Sequence, residues 1–88
     1  MGVAEEHFGK HVKNMRVACG ISQEELAHRA DIHTSYVSQL ERGKKSPSFG
    51  VILRVAVALG TSGSELFRGV EESMGTQPCW RRWQMRND

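Results

Sequence analysis

Apolar residues return every three to four positions along most of this chain, and the rhythm stops at glycines, a proline and short polar clusters. Phe8, Val12, Met15 and Cys19 make one such stripe, which Gly20 ends. Ser22-Gln23-Glu24-Glu25 then reads as a capping box, with Ser22 and Glu25 each satisfying a free backbone amide at the start of a second helix. Leu26, Ala27 and Ala30 form its inner face, and a short break at Asp31-Ile32 follows. A third helix turns Val37 and Leu40 inward and stops at Gly43. After Lys44-Lys45-Ser46-Pro47-Ser48, the residues Phe49, Ile52, Leu53, Ala56 and Leu59 line a fourth helix closed by Gly60. A second capping box, Ser62 to Glu65, opens a short fifth helix whose Leu66 and Phe67 fold back onto the core. No alternating strand pattern occurs. The expectation is therefore an all-α, compact five-helix bundle over residues 8–68, followed by a C-terminal tail, 69–88, to which the pattern assigns no ordered element.

Composition narrows what such a bundle can do. With 88 residues it is long enough for one modest core but short for a bundle that also encloses a deep substrate cavity. No apolar run approaches the roughly 20 residues that span a bilayer, so no membrane partner is expected. The opening Met1-Gly2-Val3-Ala4-Glu5-Glu6 carries acid where a secretory leader carries Lys or Arg, which makes the expected location cytoplasmic. Cys19 and Cys79 lie too far apart in sequence for a zinc motif, and Cys19 is expected to be a small buried apolar residue. His7 and His11 share a helix face, yet no third ligand accompanies them, so neither metal nor cofactor is expected. No nucleophile, base and orienting residue can be assembled, which argues against an enzyme. A net charge of +2 is only mildly basic, but Arg42, Lys44 and Lys45 crowd together just after the third helix.

The segment 23–42 carries the functional signal. Two helices joined by so short a turn cross steeply, so the residue at their closest approach must be small, as Ala27 is. Asp31 stands where the backbone tends toward the left-handed conformation, a site usually given to glycine and one that Asp tolerates better than most residues. Ser22-Gln23-Glu24-Glu25-Leu26-Ala27, Tyr36-Val37-Ser38-Gln39-Leu40-Glu41-Arg42-Gly43-Lys44 and Pro47-Ser48 together resemble the Cro and phage-repressor helix-turn-helix family, over about residues 8–67. In length and sequence the chain is most similar to the stand-alone controller proteins of restriction-modification systems.

That resemblance implies a lambda-repressor-like bundle whose third helix enters the major groove of double-stranded DNA. It turns His33, Thr34, Ser35, Ser38 and Gln39 toward base edges, and the Gln39 amide suits adenine. Ser22 and Gln23 at the start of helix two, with Arg42, Lys44 and Lys45 beyond helix three, are the expected phosphate contacts. Arg16 and Glu41 are expected to form an ion pair joining helix one to helix three. One short helix reads few base pairs, so the expected regulator is a homodimer on an inverted repeat, with Leu66 and Phe67 at its interface. The alternative is a helical adaptor that bridges proteins without reading bases. Outside the resemblance, Trp80-Arg81-Arg82-Trp83 is either an unstructured end or a basic, amphipathic contact to DNA, a partner subunit or a membrane surface.

Overall fold

A computed structural model describes residues 2–75, and the tail motif Trp80 to Trp83 lies outside them. Among the described residues the regular elements are five helices: α1 (Val3–Ala18), α2 (Gln23–Ala30), α3 (Thr34–Glu41), α4 (Phe49–Ala58) and α5 (Gly63–Met74). Three of them begin at serine caps. The amides of Glu25, Val51 and Glu65 donate to the Oγ atoms of Ser22, Ser48 and Ser62 at 3.0, 3.3 and 3.2 Å. Each bond satisfies one amide that the helix itself leaves without a partner. The expected capping boxes are thus half formed. The Glu25 carboxylate accepts from Arg29 one turn on, at 2.9 Å, and Glu65 from Arg68 at 2.7 Å. A charged partner on the same helix face outcompetes the neutral amide of the cap residue.

One core gathers all five helices. Phe8 and Val12 of α1, Leu26, Ala27 and Ala30 of α2, Val37 and Leu40 of α3, Val55 and Ala56 of α4, and Leu66 and Val70 of α5 are buried together. α1 lies against both α3 and α5, while α2 packs on α3 and α4. Its contact with α3 depends on Gly9. A Cβ there would overlap the Leu40 carbonyl oxygen and stand 2.9 Å from that of Glu41, so α1 presses directly on the backbone of the last turn of α3.

Four expectations change. α1 starts at Val3 rather than near Phe8. α5 runs on to Met74, past the point where the pattern ended at residue 68, because Val70 adds another core contact and Gly75 supplies the left-handed stop at φ 71°. Cys19 is exposed at the C-terminal cap of α1, its thiol 3.8 Å from the Leu59 carbonyl oxygen, and is not a core residue. In α4, Phe49 and Leu53 face solvent, while Ile52, Val55, Ala56 and Leu59 face inward. That helix is apolar nearly all round, so periodicity could not choose its buried face.

Candidate nucleic-acid interface

The turn between α2 and α3 sets the interface. Asp31 adopts φ 56° and ψ 52°, the left-handed conformation expected of it and the one positive φ among the described non-glycine residues. This bend returns the Ile32 amide to the Ala27 carbonyl at 3.0 Å and the Asp31 amide to that of His28 at 3.3 Å, so two of the carbonyls in the last turn of α2 are satisfied. Ala27 is buried beneath the turn, as the steep crossing requires. Ile32 and Tyr36 pack half-buried against the core and fix the start of α3.

On α3 the polar and apolar sides separate cleanly. Val37, Leu40 and Glu41 point inward. Ser35, Ser38, Gln39 and Arg42 fall at positions i, i+3, i+4 and i+7, the opposite face, with Thr34 on its flank. Ser35, Thr34 and His33 are exposed, and Ser38 and Gln39 are half-buried. His33 is the N-cap of α3 but makes no capping hydrogen bond with its side chain. At the other end, the Gly43 amide donates to the Leu40 carbonyl at 3.1 Å and the Lys44 amide to that of Gln39 at 2.8 Å. This closed end directs the exposed Lys44 and Lys45 off the helix. Arg42 is exposed and its Nε donates to the Ser38 carbonyl at 3.3 Å.

A buried polar node orients this helix. Glu41, only 8 % exposed, accepts from Arg16 Nε at 2.6 Å, from Arg16 Nη2 at 3.2 Å and from Gln23 Nε2 at 3.0 Å. Arg16 Nη1 also donates to the Ile21 carbonyl at 2.9 Å. The expected Arg16 and Glu41 pair is therefore present, as a two-pronged bridge extended by Gln23 to the start of α2. α1, the α1–α2 connection, α2 and α3 all meet there. The pairing accounts for a carboxylate that would otherwise be costly to bury.

This node also engages Gln23, expected at a phosphate: its amide nitrogen donates inward to Glu41. Ser22 keeps its expected place at the first turn of α2, with its oxygen already accepting from Glu25. Leu66 is fully buried in the protomer's own core and has no surface to offer a second subunit. Phe67 is 39 % exposed, with its ring tilted against Phe8 at 6.4 Å between centroids. Sequence reasoning missed a different apolar surface: Phe49, Leu53 and Val57, four residues apart on α4, are 74, 41 and 76 % exposed. Their spacing was the signal, hidden by the equally apolar positions between them. His7 donates to or accepts from Ser73 at 2.7 Å, and the His11 ring lies against Gly69, so both histidines serve the contact between α1 and α5.

The Helix-turn-helix family matches residues 12–66, a span that includes α2, the Asp31 turn, α3 and the Arg16–Glu41 bridge. The chain belongs to that family. Among curated relatives it is 37 % identical over 60 residues to the control protein C.BamHI of Bacillus amyloliquefaciens, an alignment covering 67 % of this chain and 74 % of that one. Among solved structures, the restriction-modification controller protein C.AhdI of Aeromonas hydrophila is 39 % identical with a TM-score of 0.68, covering 69 % of this chain and 92 % of its own. The clp gene regulator ClgR of Corynebacterium glutamicum aligns at 30 % identity with a TM-score of 0.80, over 84 % of this chain and 79 % of that one.

Proposed function

We propose that this helix-turn-helix protein is a transcriptional regulator that binds an inverted-repeat operator as a homodimer, in the manner of a restriction-modification controller. The observation that carries the reading is the α3 surface. Ser35, Ser38 and Gln39 stand on the face opposite its buried side, braced from behind by the Glu41 node and followed at once by two exposed lysines. A helix presented in this way fits a major groove about 12 Å wide. Gln39 reads a base edge, with Ser35, Ser38, Thr34 and His33 beside it, while Arg42, Lys44 and Lys45 contact phosphates on the far side. At the near side, the Ser22 hydroxyl and the positive end of α2 meet a phosphate, the contact expected of Ser22 and Gln23 together.

The likeness to control proteins and to a gene regulator supports regulation by occupancy of DNA rather than by a chemical reaction. Such a task in a bacterial cell belongs to the cytoplasm. For the dimer, the exposed α4 stripe of Phe49, Leu53 and Val57 replaces Leu66, because three of the large apolar side chains left exposed among the described residues share this one helix face. A two-fold pairing brings the same stripe from both subunits together and sets two α3 helices about 34 to 36 Å apart. Selection from a random duplex pool tests the proposal. Bound fragments are expected to converge on two related half-sites in inverted orientation; a pool without a shared motif would favour the adaptor.

A further inference from the structure

The first turn of α1 reaches the exit of α3. Gly43, which closes α3 at φ 72°, is buried, and a Cβ on it would stand 3.0 Å from both Cα and Cγ of Glu6 and 3.3 Å from its backbone nitrogen. The lack of a side chain at Gly43 lets the two segments meet this closely, and it fixes Glu6 beside the start of the connection that carries Lys44 and Lys45. Ala4 and Glu5 lie near Ser46 and Pro47 as well, so the turn runs alongside that connection. Its two acids do different jobs. Glu5 points back to its own helix start, where its Oε1 lies 2.7 Å from the position of a Gly2 Cβ and complements the positive end of α1. Glu6 instead runs along Gly43 and is exposed, as are Lys44 and Lys45.

We infer that the Glu6 carboxylate limits affinity for duplexes of any sequence by opposing the phosphate contacts of Lys44 and Lys45, a role that rests on the regulator reading above. The Lys44 Cα lies one residue, about 3.8 Å, beyond Gly43, which puts it within about 10 Å of the Glu6 carboxylate. That is about the range over which exposed charges act on one another at 0.1 M salt. A phosphate gripped by Lys44 is therefore repelled by Glu6, and without DNA the same carboxylate attracts the lysine that the phosphate must win. Neither effect involves a base edge, so operator and non-specific duplex are weakened alike. A weaker grip matters to a regulator because non-specific sites vastly outnumber an operator and hold the protein through phosphates.

Glu6→Gln in the full chain removes the charge at nearly constant size and helix propensity, and Glu65→Gln makes the same change in net charge at the start of α5. Fluorescence anisotropy reads both variants on the selected operator and on a scrambled duplex of equal length, at low and at high salt, with circular dichroism checking that each stays helical. Glu6→Gln is expected to tighten both duplexes by the same factor, about two- to fourfold for a complex of two subunits at low salt, and the gain is expected to fade at high salt. Glu6→Lys should extend the gain, and Glu65→Gln should show a distinctly smaller one. Unchanged affinity for Glu6→Gln, a gain undiminished by salt, a gain on one duplex alone or an equal gain for Glu65→Gln overturns the inference and leaves the regulator reading in place. If neither the parent nor Glu6→Gln binds any duplex, the regulator reading falls and this role of Glu6 falls with it.

Discussion

Replacing Gly9 by alanine tests whether α1 positions α3 through direct backbone contact. On an open helix surface the change adds about 1 kcal/mol of stability, because alanine loses less backbone entropy than glycine. Here the new Cβ would overlap the Leu40 carbonyl oxygen and lie 2.9 and 3.0 Å from the Glu41 carbonyl oxygen and carbon. Those atoms cannot retreat singly, since the Leu40 carbonyl accepts from Gly43 and the adjoining Glu41 side chain is bound to Arg16. Overpacking of this kind costs about 1 to 3 kcal/mol or more, and a clash against backbone falls at the upper end. The net expectation for Gly9→Ala is a loss of about 2 kcal/mol, or roughly 8 to 16 °C in a domain of this size. Gly50→Ala is the matched control: a Cβ there meets nothing within 4 Å, so stability should hold or rise by about 0.5 kcal/mol. Thermal melts followed by circular dichroism, with urea titrations at one temperature, measure both. If Gly9→Ala melts at or above the parent, α1 does not press on α3 as described, and the α3 orientation inferred from that contact fails with it.

The other predictions concern the node, the readout, the dimer and α5. Arg16→Met leaves the buried Glu41 carboxylate with Gln23 alone and should cost about 3 kcal/mol in urea titrations; a change under 1 kcal/mol would mean that the bridge merely decorates the fold. Gln39→Ala should weaken binding to the selected operator by about 1 to 3 kcal/mol per half-site and leave scrambled duplex nearly unaffected, whereas Lys44→Ala should weaken both and lower the slope of log K against log salt by about one per lost phosphate contact. Equal losses for Gln39→Ala on the two duplexes in fluorescence anisotropy would remove it from the base-reading set. Val57→Glu, at a position 76 % exposed in the protomer, should give a folded monomer in sedimentation; a persisting dimer places the interface elsewhere. The Arg68 hydrogen bond, and then its charge, holds the Glu65 carboxyl below its usual 4.5. A depressed folded value means stability present above 4.5 and lost as the pH falls through the folded value, so the melting advantage over Glu65→Gln should shrink on that acid side.

What could be read from the sequence follows from what a one-dimensional pattern can encode. The α2–turn–α3 unit was legible because its constraints are local: Ala27 is small, Asp31 tolerates φ 56°, and the glycine after Arg42 closes the helix. Resemblance supplied the Arg16–Glu41 bridge, a contact across 25 positions that spacing alone does not announce. Gln23 shows where that reasoning stops. Its position at the start of α2 suits a phosphate, and only the three-dimensional placement of a buried carboxylate beside it reveals the competing partner at 3.0 Å. Burial in α4 and α5 failed for a related reason. Where apolar residues occupy successive positions, as from Val51 to Leu53, periodicity cannot say which face meets the core. Leu66 and Phe67 are neighbours on one helix and therefore point about 100° apart, so one fills the core while the other reaches the surface. The surface that remains on α4 obeys that geometry, since Phe49, Leu53 and Val57 repeat at intervals of four and share one side of the helix. The proposed dimer, with two α3 helices at a fixed spacing, requires its contact on an element firmly tied to α3, and α4 packs on α2, which packs on α3.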